Sequence, residues 1–210
     1  MISILILTLN EEINIKECID SVSWSDDIIV YDSFSSDQTT TIAEKIGAKV
    51  IQRKFDNWAS HQNWAVENIE FKNPWVFYID ADERCTPELA EEIQRVATAE
   101  SEQSAYRVRR KDFFIGKWLK RAQLYPTWIV RLFRPEKIHY ERLVNPVANI
   151  DGEIAELQGH LQHYPFSHGI SHWIDRHNRY STFEAEEARK TKGVMPPFKN
   201  IFSTDPAIRR

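Results

Sequence analysis

The stretch WVFYIDADER, residues 75–84, decides the fold predicted for this chain. Its first half is apolar and aromatic, as in a buried strand, and its second half holds three carboxylates. Like charges this close raise one another's pKa unless a cation or fixed donors hold them. In extended backbone Asp80 and Asp82 point to the same side, where they can share one hard cation. The stretch therefore predicts a divalent metal that carries a phosphate-bearing ligand.

A second interpretation of the acidic cluster is structural. Glu83 precedes the predicted helix that begins at Pro87, and a carboxylate near a helix N-terminus is favoured by the helix dipole. This explains Glu83 as a helix-flanking charge, but not two acids on one side of a strand end. Ligands that are all oxygen favour Mg²⁺ or Mn²⁺ over zinc.

Strand and helix patterns alternate through the first half of the chain, as in βαβ units with a mainly parallel sheet. The predicted strands and helices are, in order, strand 2–9, helix 14–22, strand 27–31, helix 37–46, strand 49–52, helix 58–69, strand 75–79 and helix 87–97. Ligands of such sheets bind outside the carboxyl ends of the strands, which is where the acidic cluster lies.

After residue 103 the pattern changes to segments rich in aromatic and basic residues. Strands are predicted at 105–111, 127–134, 138–150 and 154–158, followed by one helix at 170–190. Residues 191–210 are basic, contain proline and show little pattern. They end without a cap, as a truncated chain would. The chain therefore divides into residues 1–103, residues 104–190 and a tail.

Length, charge and cysteine content narrow the class of protein. The 210 residues suffice for one large domain, and a net charge of −4 argues against a surface that coats nucleic acid. Cys18 and Cys85 fit no metal spacing and indicate a reducing compartment. No stretch approaches the roughly 20 apolar residues that span a bilayer, and the first strand lacks a basic leader. We expect a cytoplasmic protein, free or at the inner face of the membrane.

Two polar turns follow predicted strands and face the same sheet edge. Residues 8–12, TLNEE, offer backbone N–H groups and short side chains to a ligand, or else Asn10 or Glu11 caps the next helix. In the second turn Asp32 can accept a hydrogen bond from a base N–H or a ribose hydroxyl. It can equally be a solvated turn residue, and Asp37 suits the first turn of a helix.

These motifs, in their order and spacing, resemble those of the family-2 glycosyltransferases. More narrowly, the chain resembles bacterial sugar transferases of lipopolysaccharide-core and exopolysaccharide assembly. The resemblance continues to about residue 190 through residues 114–118, 131–134, 162–164 and 179–181.

The resemblance implies a GT-A fold and the transfer of a sugar with inversion. It implies a nucleotide-sugar donor, with UDP as the expected nucleotide, a divalent metal, Mg²⁺ or Mn²⁺, and a saccharide or lipid-linked acceptor. Residues 1–103 would then bind the nucleotide sugar, and residues 104–190 would form the acceptor half of the same domain.

The resemblance also implies roles for single residues. Thr8, Asn10 and Glu11 would line the nucleotide, and Asp32 would contact the base. Asp80 and Asp82 match the DxD motif of the family.

Within that motif Asp82 would ligate the metal that bridges the two phosphates, and Asp80 would contact the ribose or the water shell of the metal. His163 matches a histidine on a late strand that can complete the metal site. Alternatively, His163 packs as an ordinary strand residue.

Two stretches depart from the pattern of the relatives. Many relatives carry a Val-His-Glu triplet after Arg-Leu, whose Glu is the expected general base, whereas residues 142–146 read RLVNP here. Glu141 is the substitute candidate and Asp151 the second, since a carboxylate must lie near the acceptor hydroxyl. Either can instead be an exposed strand or turn charge.

The second departure lies in residues 61–65, HQNWA, where relatives often have Lys or Arg before Asn63. His61 or a later arginine would then supply positive charge to the phosphates, and both His61 and Asn63 are assigned to the nucleotide-sugar site.

Basic and aromatic residues of the second half are expected to shape the acceptor site or to be solvated strand residues. They are Lys117, Trp118, Lys120, Arg121, Tyr125, Trp128, Arg131, Phe133 and Arg134. A lipid-linked acceptor requires contact with the bilayer surface, and the apolar residues of the basic tail would provide it. These tail residues are Val194, Met195, Phe198, Ile201 and Phe202.

Two other functions remain open at this stage. A sugar-phosphate nucleotidyltransferase requires a glycine-rich loop after the first strand, and residues 8–12 contain no glycine. A catalytically silent nucleotide-binding scaffold is supported only by the departure at residues 144–146.

Overall fold

A computed structural model describes residues 1–99, 102–121 and 125–190 of the chain. The basic tail at 191–210, for which membrane contact was predicted, lies outside the described residues. The described part contains a nine-stranded mixed sheet, a separate two-stranded sheet and helices. None of the helices in this part is long and apolar enough to cross a lipid bilayer.

The first half has the predicted alternation of strands and helices. Its elements are β1 (Ile2–Thr8), α1 (Ile15–Ser21), β2 (Ile28–Asp32), α2 (Thr39–Lys45), β3 (Lys49–Gln52), α3 (Trp58–Asn68), β4 (Trp75–Asp80), β5 (Glu83–Cys85) and α4 (Pro87–Thr98). The short β5 was not predicted. The Thr86 side chain accepts a hydrogen bond from Leu89 N, and Pro87 occupies the first turn, which confirms the predicted start of α4.

The second half is rich in strands, as expected. Its elements are β6 (Gln103–Phe114), β7 (Lys117–Trp118), β8 (Thr127–Phe133), β9 (Ile138–Glu141), β10 (Val147–Ile150), β11 (Glu153–His163) and α5 (Ile170–Lys190). The single strand predicted at 138–150 is wrong, because β9 and β10 pair as an antiparallel hairpin. The chain turns between them at Arg142 and Asn145, which both have positive φ. β11 is longer than predicted and includes His163.

The order of the main sheet is β3-β2-β1-β4-β8-β6-β11-β5, with β7 paired to β6. β1 pairs in parallel with β2 and β4, and β2 with β3. β8 then enters antiparallel to both β4 and β6, so parallel pairing predominates only in the first half. The registers Thr8↔Asp32 and Leu7↔Asp80 bring three strand ends to one edge, as the sequence predicted.

Two apolar clusters cover the two faces of the sheet. Every residue of β1 is buried, and its side chains alternate between the clusters, with Ile4 and Ile6 in one and Leu5 and Leu7 in the other. The first cluster includes buried residues of α1 and α4, and the second includes residues of α3. A central strand covered on both faces is therefore apolar throughout, as parallel sheets require.

Helix α4 approaches β11 most closely at Gly159. A Cβ atom built at Gly159 would lie 2.9 Å from both Cα and Cβ of Leu89. Beside this contact, Glu92 of α4 accepts hydrogen bonds from Gln158 N and Gly159 N, at 2.9 and 2.8 Å. The β11 register against β6 shifts in the same region, between Glu156 and His160. The contact therefore fixes the course of β11 toward its carboxyl end.

Gly159→Ala is expected to lower the free energy of unfolding by about 1–3 kcal/mol, because helix backbone must move to make room for the methyl group. Urea unfolding monitored by circular dichroism measures the change. Gln158→Ala is the matched control, since that side chain is exposed, and it should change stability by under about 0.5 kcal/mol. Equal stability of Gly159→Ala and the unchanged protein would contradict the tight contact.

Candidate active site

Asp32 lies at the carboxyl end of β2 and is completely buried. Its carboxylate accepts hydrogen bonds from Thr8 Oγ1 at 2.9 Å, from Ser35 N at 2.9 Å and from Gln52 Nε2 at 3.0 Å, and also from Ser35 Oγ. These bonds join the ends of β1, β2 and β3. The predicted contact between Asp32 and a base would require one of these partners to move.

Asn10 and Glu11 connect the two polar turns to each other. The Asn10 N–H donates to Ser35 Oγ at 2.8 Å, and Asn10 Oδ1 accepts from Ser36 N at 2.8 Å. Asn10 has a φ of 56°, a conformation that asparagine tolerates better than most residues. The Glu11 N–H donates to Thr39 Oγ1 at 2.8 Å. The first turn is therefore held against the second, at the edge where Thr8 and Asp32 meet.

The side chain of Arg131, from β8, neutralises two acids of the cluster. Its Nη2 lies 2.5 Å from Asp80 Oδ2 and 2.9 Å from Glu83 Oε1. Its guanidinium also lies over the Tyr78 ring, 4.2 Å from the centroid, and the Tyr78 hydroxyl donates to Asp80 Oδ1 at 2.7 Å. Arg131 and Glu83 are both buried, whereas the Asp80 side chain is 29% exposed.

These contacts correct two expectations. Glu83 is not a helix-flanking surface charge, because it is fully buried in β5 and bonded to Arg131. Arg131 is not a solvated strand residue but the cation that the acidic cluster requires. Burial raises the pKa of Glu83, although the positive charge of Arg131 acts to lower it. Asp80 and Glu83 in turn raise the pKa of Arg131 in spite of its burial.

Asp82 faces His163, which the structure brings to it on β11. The two side chains are 3.3 Å apart, from Asp82 Oδ2 to His163 Nε2, and the other ring nitrogen lies 2.5 Å from Asp112 Oδ1. All three residues are at most 9% exposed. A carboxylate on Nδ1 fixes the orientation of the ring, as it does for metal-binding histidines. The predicted proximity of Asp82 and His163 is present, and Asp112 was not predicted.

Burial and charged neighbours act in opposite directions on the pKa values of Asp82 and His163. Burial opposes ionisation of Asp82, but His163 and Arg176 hold its pKa well below the usual range. Burial and Arg110 disfavour the charged form of His163, yet Asp82 and Asp112 raise its pKa overall. The His163 ring is therefore shared between two carboxylates.

Two further arginines complete the cluster. Arg110 of β6 lies 3.3 Å from Asp112 and 3.7 Å from Glu83. Arg176 of α5 lies 3.7 Å from Asp82 Oδ2. Neither arginine was assigned to the metal or donor site from the sequence. The alternation of Arg110 and Asp112 along one strand could have indicated that they share a face, whereas Arg176 is only one of several basic and aromatic residues along α5.

His61 is buried against the ring of Tyr31, with 4.2 Å between the ring centroids. Burial and the nearby Arg53 guanidinium lower the pKa of His61 to about 4. The imidazole is therefore neutral at pH 7, so the positive charge expected from His61 is absent.

Asn63 acts as a clamp between α3 and β9. Its Nδ2 donates to Tyr140 O at 2.9 Å, and its Oδ1 accepts from Tyr140 N at 2.7 Å. Both ends of the amide are thus engaged by backbone. Tyr140 lies close enough to Asp80 and Arg131 for both to act on its pKa, which burial raises. The clamp therefore fixes the end of β9 beside the acidic cluster.

The two candidates for the general base lie at opposite ends of the β9–β10 hairpin. Glu141 is exposed and directly follows Tyr140, at the end fixed by Asn63. Asp151 lies at the other end, where it pairs with Lys137 Nζ at 2.7 Å and its side chain is 80% exposed. Asp151 is thus engaged by a lysine at the open end of the hairpin, whereas Glu141 is next in sequence to the residue that Asn63 fixes.

The sequence is similar to one family model and to individual glycosyltransferases. A family model described as glycosyl transferase family 2 matches residues 3–152. An uncharacterized glycosyltransferase of Rickettsia typhi is 30% identical over 90% of this chain and 68% of its own length. The lipopolysaccharide core biosynthesis glycosyltransferase LpsC of Rhizobium meliloti is 28% identical over 98% of this chain and 77% of its own length.

Solved structures resemble the chain in fold. The crystal structure of S. aureus TarS superimposes with a TM-score of 0.54 at 18% identity, over 78% of this chain and 60% of that chain. The chain therefore spans less than two thirds of that structure. Together with the family match, this similarity confirms the GT-A fold expected from the sequence.

Arg131→Met is expected to cost about 3–5 kcal/mol of unfolding free energy, because it leaves two carboxylates without their buried cation. Adding Glu83→Gln should recover part of that loss, since one of the two charges is then gone. Urea unfolding of the single and double variants measures both effects.

Arg134→Met is the matched control for this cycle. Arg134 stacks on Trp75, 4.4 Å from the ring centroid, and we expect its loss to cost about 1 kcal/mol or less. Equal costs for the Arg131 and Arg134 variants would refute the role given to Arg131.

Proposed function

The chain belongs to glycosyl transferase family 2, and on that premise we propose that it moves a sugar from a UDP-sugar, with inversion, to a lipopolysaccharide-core or lipid-linked saccharide. The group Asp82–His163–Asp112, at the edge where β1, β2 and β4 end, is the observation that carries this proposal. A phosphate-bearing donor needs such an edge, where backbone N–H groups and acids converge.

The donor would lie over the two polar turns. Asn10 and Glu11 line the rim of this edge, with Thr8 and Asp32 bonded to each other beneath it. Asp80 keeps a partly exposed carboxylate at the same edge, which suits a hydrogen bond to a ribose hydroxyl. His61 and Asn63 would support the site by packing and by positioning β9 rather than by contacting the donor.

The residues present fit a divalent metal. Asp82 and His163 Nε2 would hold it, and Asp112 would keep the ring turned toward it. Among the described residues no cluster of three or more acids, histidines or cysteines could hold a metal alone, so phosphate oxygens and water would complete the shell, as is usual for Mg²⁺. Bound Mg²⁺ or Mn²⁺ would neutralise charge on the departing diphosphate.

Arg176 would assist the departure of the leaving group. Its guanidinium lies 3.7 Å from Asp82, on the helix α5 that crosses this edge. A planar guanidinium suits paired contacts to phosphate oxygens. It would bring the positive charge that Gln62 and the neutral His61 do not.

Glu141 would serve as the general base. In an inverting transfer the acceptor hydroxyl attacks the anomeric carbon from the side opposite the diphosphate, and a carboxylate takes its proton. The exposed side chain of Glu141 and its position directly after Tyr140, whose backbone Asn63 binds, support this role. The ion pair of Asp151 with Lys137, at the far end of the hairpin, favours Glu141 over it.

The proposed class of acceptor rests on the described function of one relative and on the share of this chain that aligns with it. LpsC is described as a lipopolysaccharide core biosynthesis glycosyltransferase, and it aligns with 98% of this chain. We therefore propose an acceptor from the saccharides of the bacterial envelope, either the lipopolysaccharide core or a lipid-linked exopolysaccharide.

UDP together with Mn²⁺ is expected to raise the melting temperature, because both bind the folded state. Asp82→Asn should abolish the Mn²⁺-dependent part of that shift, and Asp112→Asn should weaken Mn²⁺ binding about 10–100-fold. Asp20→Asn, at an exposed acid paired with Lys16, is the control and should behave as the unchanged protein. An undiminished Mn²⁺-dependent shift in Asp82→Asn would remove this residue from the metal site.

Glu141→Gln is expected to lower kcat about 10²–10⁴-fold, with the KM for the donor little changed, because the proton acceptor is lost while donor contacts remain. Release of UDP in the presence of an acceptor measures the rate. Asp151→Asn serves as the comparison and should keep most of the activity. A large loss with Asp151→Asn and none with Glu141→Gln would transfer the role to Asp151.

A further inference from the structure

The β6–β7 hairpin projects an apolar tip from the second half of the chain. Phe113 pairs with Trp118 and Phe114 with Lys117, so residues 115 and 116 form the turn. Ile115 is 83% exposed, the largest value among the exposed apolar residues of the described chain. An apolar side chain this exposed at a hairpin tip has no function in packing the fold.

Lysines surround the aromatic residue behind this tip. The Nζ atoms of Lys111 and Lys120 lie 4.5 and 5.1 Å from the centroid of the Trp118 ring, and Lys117 is exposed at the start of β7, directly after the turn. Among the described residues none of these lysines pairs with an acid. Burial lowers the pKa of Lys111, as do Arg109 and Lys120 beside it. Cations held together without a counterion favour the binding of an anionic partner.

We propose that this hairpin docks the protein on an anionic lipid surface, with Ile115 inserted between headgroups. An apolar tip, a tryptophan behind it and a ring of lysines are the features of segments that lie in the membrane interface. A soluble phosphate would use the lysines but not the apolar tip. Charge complementarity and the exposed isoleucine therefore favour a bilayer surface. The proposal rests on the proposed function, since a lipid-linked acceptor places the enzyme at a membrane.

The root of the hairpin is joined directly to the candidate active site. Leu119 N donates to Asp112 O at 2.8 Å, and Asp112 holds His163. Phe113 stacks on Tyr164, with 5.5 Å between ring centroids, and Tyr164 N donates to Asp82 O at 2.8 Å. A hairpin docked at its tip would thus hold the acidic cluster close to the bilayer surface, where the sugar of a lipid-linked acceptor lies.

Flotation of the full chain with phosphatidylglycerol vesicles tests the proposal, with phosphatidylcholine vesicles as the neutral surface. The unchanged protein should float with the anionic vesicles only, and less at high salt. Lys117→Gln/Lys120→Gln should weaken binding roughly 25-fold, at about fivefold for each charge. Ile115→Asp should weaken it about tenfold or more, because the inserted side chain is lost.

Two matched control variants test whether flotation depends on the hairpin itself or only on the net charge of the protein. Lys45→Gln/Lys49→Gln removes two exposed lysines of α2 and β3, at the other end of the sheet order. Ile154→Asp changes an isoleucine that is 47% exposed on β11. Both controls should float as the unchanged protein does. The proposal would be overturned if the control variants lost flotation as much as the hairpin variants, or if the hairpin variants still floated. Self-association through Ile115, detected by size-exclusion chromatography, would also overturn it.

Binding of UDP, measured by thermal shift on the same proteins, tests the donor site independently of membrane docking. Hairpin variants should bind UDP with Mn²⁺ normally while losing flotation. UDP binding without flotation of the unchanged protein would overturn the docking proposal alone. Flotation without any UDP binding would instead refute the donor site.

Discussion

The ion pair of Arg131 with Asp80 and Glu83 is the constraint on which the site depends. Buried carboxylates stay ionised only when a cation is fixed beside them. Because β8 enters the sheet antiparallel between β4 and β6, Arg131 reaches the end of β4 and the start of β5 at once. The acidic turn between those strands can therefore be held rigidly, with Asp82 left free to face β11.

A second chain of contacts carries the chemistry. β11 pairs with β6 on one side and with β5 on the other, which brings His163 between Asp112 and Asp82. The close approach of α4 at Gly159 guides β11 to that position. Elements from both halves of the chain thus build one site, as expected if residues 1–103 and 104–190 belong to the same domain.

Local patterns in the sequence predicted most of the first half, because helical and strand periodicities are properties of neighbouring residues. They did not predict β5 or the insertion of β8, since strand pairing is set by long-range contacts. The acidic motif and His163 were predicted as site residues, whereas Arg131 was expected either at the acceptor site or on a solvated strand, and Asp112 was not predicted. Both partners lie far from the motif in sequence and act through the sheet. In the same way, the internal hydrogen bonds of Asp32 and Asn63 become visible only when the strand ends are assembled.

Crystals soaked with UDP and Mn²⁺ provide the most direct test of the site. Anomalous scattering should show manganese bound by a carboxylate oxygen of Asp82 and by His163 Nε2, together with the diphosphate of UDP. Asp112 should remain bonded to the far side of the ring. UDP bound at another edge of the sheet, or manganese bound away from both residues, would contradict the assignment of this edge as the donor site.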